Sequence, residues 1–339
     1  MKPFQQNNNI LFIRLRLLGD IIFTIPSIQI FKRNYPGIKV YYVVEEQFKE
    51  IGELIPGIHQ LIVIPRKMGI KKMWRFRKDI QKIGIDTVID FHSGPKSAQL
   101  TWLTGAKLRI GYKTPNRDWA YHRLTPRTCG NTLTHSVYNQ ARLLDHLGIA
   151  VDMDMLPQYP EITIDEKQIS EGVKRVVQKE KKVVIHVGAG NAFRDWGIES
   201  FSSLIYHLKC RGVRVFLTGN GAEEEKRGNY LGNLLAVDNF TGKLSIAELL
   251  YLISKSDVYV GADSGPLHLA SLTAAPLVGL YGPNTPKISG PWRKKNVTII
   301  QHQMECQPCT QRKCKYGIIP CMKNIRTDEV YEAINRYLR

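Results

Sequence analysis

Val258-Tyr259-Val260-Gly261-Ala262-Asp263-Ser264-Gly265-Pro266-Leu267-His268-Leu269-Ala270 joins three local signals. Val258–Val260 reads as a buried strand. Gly261 and Gly265 permit a tight turn, and Pro266 suits the first turn of a helix, where its missing N–H costs nothing. A strand passing through a Gly-rich turn into a helix belongs to a doubly wound α/β unit, whose ligands lie beyond the carboxyl ends of the strands. The helix N-terminus offers unpaired amides and partial positive charge to a diphosphate. In that setting Asp263 can hold a sugar hydroxyl and Ser264 can donate to a phosphate oxygen. His268, one turn in, is either a satisfied core histidine or a member of the site.

The same alternation extends both ways along the chain. Val183–Val187 and Val213–Thr218 precede this stretch and Leu277–Leu280 follows it, all reading as strands with helices between. Ser245-Ile246-Ala247-Glu248 has the spacing of a capping box and opens a helix ending near Ser254. A last helix is predicted from Thr327 to Leu338. Upstream, Ile10–Ile13, Val40–Val44, Leu61–Ile64 and Thr87–Ile89 read as strands, with helices such as Asp20–Arg33, Lys71–Lys82 and His135–Leu147. Gly148–Asp165 has no period and reads as a linker. The 339 residues exceed the roughly 250–300 at which single cores stop growing. The expected organisation is α/β: Rossmann-like domains over 1–160 and 161–326, facing a cleft, and a C-terminal helix over 327–339.

Apolar residues make up 43% and charged residues 23%, which excludes wholesale disorder. The formal charge of +18 calls for an anionic partner: nucleic acid, acidic membrane or a phosphorylated substrate. That charge is confined to two segments. Arg66–Arg127 holds 15 basic and four acidic residues, Arg293–Arg326 holds eight and one, and the remainder balances. Within the first, Met73, Trp74, Phe76 and Ile80 sit among Lys72, Arg75, Arg77 and Lys78. Such a helix either lies on an anionic membrane surface or packs its apolar face on the sheet. The start, Met1 to Asn9, lacks the apolar core of a signal peptide, and Ile10–Ile30 carries Arg14, Arg16 and Asp20, too polar for a membrane span.

Two further turns follow predicted strands. In Arg14-Leu15-Arg16-Leu17-Leu18-Gly19-Asp20 the aspartate is either an ordinary N-cap or a general base. In His186-Val187-Gly188-Ala189-Gly190-Asn191, small residues let backbone amides approach an anion, and Arg194 can pair with phosphate. The Gly-Lys-Ser/Thr ending of a P-loop is missing. Asp152-Met153-Asp154 lies in the linker and is set aside as a metal motif. Cys306-x2-Cys309-x4-Cys314-x6-Cys321 can supply four thiolates to a structural zinc or remain free thiols.

Taken in order, Arg14…Gly19-Asp20, His186…Arg194-Asp195-Trp196, Asp263-Ser264-Gly265-Pro266-Leu267-His268 and Tyr281-Gly282-Pro283 resemble the motifs of the ADP-heptose:lipopolysaccharide heptosyltransferases, glycosyltransferase family 9. The resemblance covers essentially the whole chain. It implies a GT-B fold and inverting, metal-independent transfer of heptose from ADP-L-glycero-D-manno-heptose to the lipopolysaccharide inner core, either Kdo-lipid A or a heptosylated acceptor. It casts Asp20 as the base and Arg194, where many members have Lys, as the group stabilising the departing diphosphate. His186, Gly188, Ala189, Gly190, Asp263, Ser264, Gly265, Pro266 and His268 become donor-binding residues, with Glu223 or Glu224 on the ribose and the backbone near Leu244 on the adenine. Arg14 and Arg16, with Lys107, Arg109, Lys113, Arg117, Arg123 and Arg127 after a strand end, become candidates for the anionic groups of the acceptor. The resemblance requires no catalytic cofactor, and it implies a cytoplasmic enzyme peripheral at the inner membrane, with no nucleic-acid partner. Alternatives are a family 9 enzyme using another nucleotide-sugar or acceptor, and a GT-B-like nucleotide-sugar epimerase.

Overall fold

Strands rich in Val and Ile, buried on both faces, pair in parallel. In the computed structural model, which describes residues 9–127, 133–160, 162, 164–177, 181–293 and 295–338, they form two sheets. The first contains β1 (Asn9–Ile13), β2 (Lys39–Glu45), β3 (Gln60–Ile64), β4 (Thr87–Asp90), β5 (Leu108–Lys113) and β6 (Arg123–Pro126). The second contains β7 (Lys182–His186), β8 (Arg214–Thr218), β9 (Asp238–Asn239), β10 (Val258–Ala262), β11 (Leu277–Tyr281) and β12 (Val297–Gln301). The orders are β3-β2-β1-β4-β5-β6 and β12-β11-β10-β7-β8-β9. Read from its far edge, the second repeats the first, so the halves share one topology that no internal sequence repeat announces. The chain divides into two compact units, Met1–Tyr159 and Pro160–Arg339.

In each sheet the strand order reverses beside its first strand, between β1 and β4 and between β7 and β10. Loops leaving those strands diverge there and open a crevice at the carboxyl edge. Around β1, Phe12 meets Phe31 and Phe91 edge to face. In the second unit Trp196, Phe201 and Leu204 share a core with Val330, Ala333 and Ile334. The helix Thr327–Asn335 is therefore part of that unit's core.

Several elements depart from the sequence reading. The helix expected over Asp20–Arg33 is two, Leu18–Ile22 and Ile25–Asn34, broken at Phe23-Thr24 where Pro26, in the first turn of the second, has no N–H to continue the first. His135–Leu147 is α-helical only over Ser136–Ala141 and 3-10 from Arg142 to Leu147. β5, β6, β9 and β12 lie outside the sequence reading: Arg109 and Lys113 interrupt the apolar run of β5, β6 reads Arg-Leu-Thr-Pro, and β9 is only the pair Asp238-Asn239. The capping box forms as its spacing predicts: Ser245 Oγ accepts from the Glu248 amide at 3.1 Å, and the Glu248 carboxylate accepts from the Ser245 amide at 3.0 Å.

Candidate active site

At the carboxyl edge of the first sheet, β1 hands the chain to Arg14 and then to Leu17, whose φ of +69° is rare for a side chain of its size. That turn starts the helix Leu18–Ile22 and sets Asp20 opposite Arg14. The Arg14 guanidinium pairs with the Asp20 carboxylate and also donates to the Phe91 carbonyl at 2.6 Å. Arg14 is buried, whereas Asp20 keeps part of its carboxylate open to solvent.

The loop after β4 is built around a second carboxylate. Asp90, fully buried, accepts from the His92 and Ser93 amides at 2.9 Å and from the Tyr121 hydroxyl at 2.7 Å. Burial raises its pKa against those hydrogen bonds. Arg127 donates to the His92 carbonyl at 2.9 Å and Arg117 to the Ser93 carbonyl at 3.4 Å. Three guanidiniums thus cap three consecutive carbonyls, Phe91 to Ser93. Burial and the charges of Arg14, Arg16, Arg127 and Arg117 push His92 down to about 3, so its imidazole stays neutral. Its ring packs on Gly94, where a Cβ would come within 2.6 Å of it, and its Nδ1 is buried without a hydrogen-bond partner. The result is a cationic cluster with one partly open carboxylate. Such a cluster can bind anionic groups while Asp20 accepts a proton.

Not every basic residue expected here belongs to it. Lys107 precedes β5, Arg109 lies early in β5, and Arg123 opens β6, opposite Ile110. All three sit toward the amino ends of strands, at the other edge of the sheet from Asp20. Arg109 is spent on the Ala120 and Ala106 carbonyls at 2.8 and 2.9 Å. Lys113 ends β5 on the Asp20 side and is exposed, Arg16 is exposed beside Arg14's turn, and Arg117 reaches the cluster. His92 was missed. Its role comes from four arginines distant in sequence, and only the local excess of positive charge hinted at it.

At the carboxyl edge of the second sheet, β7 ends at His186. The imidazole lies 3.3 Å from Thr218 Oγ and 3.4 Å from the Glu224 carboxylate. Glu224 also accepts from the Asn220 amide at 2.8 Å and the Gly190 amide at 3.4 Å. Burial would raise its pKa, but His186 and these amides outweigh it and hold the carboxyl below its usual value. Within Glu223-Glu224-Glu225, Glu224 faces the loop, while Glu223 is exposed. A Cβ at Gly188 would fall 2.0 Å from the Glu224 carboxyl, so a larger residue would displace that carboxylate from its place on the loop. Ala189 and Gly190, the latter at φ +62°, carry the chain into the short turn Ala192–Arg194.

Arg194 donates through Nη1 to the Asp263 carbonyl at 2.7 Å and lies 3.3 Å from that residue's carboxylate. Asp263 is only 2% exposed. Its carboxylate accepts from Asn284 at 3.0 Å and Ser289 at 3.3 Å and faces His268 at 3.7 Å. Burial favours the neutral acid, but His268, Arg194 and Asn284 together lower its pKa. With a hydrogen bond on each oxygen, Asp263 orders the loops around it. His268 is buried against Asp263. Ser264 keeps a different state: its hydroxyl is buried and unpartnered at the start of the helix Gly265–Ala270, with Pro266 in the first turn. Leu244 packs with Phe240 beside that unit's core. Asp195 and Trp196 are scaffold. Arg227, which sequence reading missed, grips Asp195 through two bonds at 2.6 and 2.7 Å, and Trp196 donates to the Ile325 carbonyl at 2.8 Å.

Cys306, Cys309, Cys314 and Cys321 line one cavity of about 240 Å³. Burial, then the neighbouring thiols, raises the Cys321 pKa. Among the described residues, no three His, Cys, Asp or Glu side chains are arranged to hold a metal ion.

Two Rossmann-like units with these loop clusters define a GT-B architecture. The crystal structure of the family 9 glycosyltransferase from Veillonella parvula superposes with a TM-score of 0.83 over 99% of both chains at 19% identity. Escherichia coli ADP-heptose LPS heptosyltransferase II does so at 0.80 over 97% of this chain and 98% of that one, at 21% identity. Lipopolysaccharide heptosyltransferase 1 of Pseudomonas aeruginosa is 26% identical over 321 residues, 91% of this chain and 87% of that one. Residues 73–319 match the sequence profile of glycosyltransferase family 9 (heptosyltransferase), and the chain belongs to that family of transferases.

The His92 environment gives a pH signature. Because the folded state resists protonation down to about pH 3, while the free imidazole protonates near 6.5, stability falls as pH drops through that interval. His92→Gln is expected to shrink the Tm difference between pH 7 and pH 4.5 by roughly 2–4 °C. An unchanged difference in thermal melts would mean that His92 is not held neutral.

Proposed function

We propose that this enzyme transfers heptose, with inversion, from ADP-L-glycero-D-manno-heptose to a lipid A-linked inner-core acceptor of lipopolysaccharide. The observation that carries the reading is that Arg194 is held on the Asp263 carbonyl while the next residue, Ser264, keeps a buried hydroxyl with no hydrogen-bond partner among the described residues, two donors suited to a diphosphate. Family membership and the named heptosyltransferase relatives support the sugar. In this reading the Arg194 charge, fixed by Asp263, meets the negative charge that builds on the departing diphosphate. Ser264 donates to a phosphate oxygen. Glu224 accepts from the ribose hydroxyls, and the backbone near Leu244 receives the adenine. Asp20, oriented by Arg14, takes the proton from the attacking acceptor hydroxyl. Arg16, Arg117 and Arg127 bind the acceptor's anionic groups. Side chains supply the charge this step requires, and we assign no metal to it.

Asp20→Asn is expected to lower kcat by about 10²–10⁴ while ADP-heptose still raises the Tm as in the unaltered enzyme. Full turnover in that variant would remove Asp20 as the base. Stronger stabilisation by UDP- than by ADP-sugars would overturn the donor.

We place the enzyme on the anionic face of the inner membrane. No helix among the described residues is long and apolar enough to cross a bilayer, so attachment falls to a surface. The helix Ile70–Ile83 buries Phe76 and Ile80 but leaves Trp74 58% and Ile70 76% exposed. Trp102 and Trp119, each about half exposed and 6.1 Å apart, continue this apolar surface past Met73. Exposed Lys71, Lys72, Arg75, Lys78 and Lys82 surround it. Indole rings at headgroup depth and lysines near anionic lipid suit such a surface. Co-sedimentation with vesicles rich in phosphatidylglycerol should fall at least about tenfold when Trp74, Trp102 and Trp119 are all changed to Ala, since each buried ring contributes roughly 1 kcal/mol or more. Equal binding by the triple variant would remove this surface.

The four clustered cysteines remain a proposed structural zinc site. As placed they form no ligand set, so binding would require the segment to tighten around the ion. Elemental analysis of the purified chain should find about one zinc per chain if the site is real; a value near zero discards it.

A further inference from the structure

Gln311 belongs to the Cys-rich segment, which the reaction as described does not use. Its backbone adopts φ +56°, in the left-handed region, where a side chain other than glycine needs outside support. That support is visible on both sides of the turn. The Cys309 amide donates to the Pro283 carbonyl at 2.7 Å, and Cys309 Sγ accepts from the Gln311 amide at 3.4 Å. The turn delivers the Gln311 side-chain carbonyl to two donors at once, Arg194 Nε at 2.8 Å and Asn191 Nδ2 at 2.9 Å. Asn191 in turn caps the Phe193 amide at 2.9 Å, one residue before Arg194.

Arg194 is thus held at two of its three nitrogens, Nη1 by Asp263 and Nε by Gln311. Nη2 makes no hydrogen bond to the described residues and points the remaining donors elsewhere. A guanidinium is planar, so fixing two nitrogens fixes the direction of the third. Gln311 does this with a neutral oxygen, so the cation keeps its full charge.

We propose that Gln311 is a positioning residue that orients Arg194 toward the leaving diphosphate, which makes the Cys-rich segment a support of the donor site. The proposal rests on the role given to Arg194 above. A free Arg194 side chain would still bind the donor but would meet the transition state in the wrong orientation. The loss should therefore appear in kcat and far less in donor KM.

The experiment is a double-mutant cycle with Gln311→Ala, Arg194→Ala and both together, measuring kcat, donor KM and Tm. Gln311→Ala is expected to lower kcat roughly 10- to 100-fold, with KM changed less than about threefold and Tm within about 2 °C. In the Arg194→Ala background the same change should lower kcat less than about twofold, because the residue it positions is gone. Equal losses in the two backgrounds, or a loss confined to KM or Tm, overturn the proposal. Wild-type kcat in Gln311→Ala with a deficient Arg194→Ala sinks the proposal alone. Wild-type kcat in Arg194→Ala sinks the assignment of Arg194 together with it.

Discussion

A parallel strand buried on both faces has no place for a charged side chain except at its ends. β4, β7, β10 and β11 are buried throughout, and β1 is buried after its first residue. The chemistry of each unit is therefore driven to the carboxyl edges, where the strand order reverses and loops part. Arg14 and Asp20 leave β1, His92 leaves β4, Glu224 faces the loop after β7, and Asp263 leaves β10. One constraint on hydrophobic burial decides where these residues stand.

At those edges the two units solve the same electrostatic problem with opposite balances. The first gathers four arginines around a neutral imidazole and one carboxylate paired with Arg14. The surplus is positive and fits anionic groups. The second ties the partly buried Arg194 to a buried carboxylate that is itself hydrogen-bonded by Asn284 and Ser289. A buried carboxylate without such partners would take up a proton and release the arginine. The pairing therefore gives orientation as much as stability, and the network behind Asp263 is what makes that orientation durable.

Much of this was legible in sequence because local signals and tertiary role agree. The β10 turn, the β7 turn and the Arg14–Asp20 turn are all found where short apolar runs meet glycine and a helix start. β5 and β6 were not legible, since edge-proximal strands tolerate Arg109, Lys113 and Arg123 and lose the apolar signature. That loss mattered functionally: with the strands unseen, Lys107, Arg109 and Arg123 were grouped with Arg117, although half a strand length sends them to the opposite edge. The aspartate of the β10 motif was found by its setting, but nothing near it in sequence shows Asn284 and Ser289 closing on its oxygens.

Local sequence carries the α/β class, the division near residue 160, the three glycine-bearing turns after strands and the confinement of positive charge to two segments. Each depends on residues within a few positions of one another, which is the range over which periodicity, capping and composition act. The folded arrangement alone brings Glu224 onto the β7 loop, holds His92 neutral, closes Asn284 and Ser289 on Asp263, and lets Gln311 reach Arg194 across more than a hundred residues of chain. Those are outcomes of side chains converging from separate strands and loops. Burial and charge at such a meeting point are properties of the folded neighbourhood, and no stretch of sequence contains them.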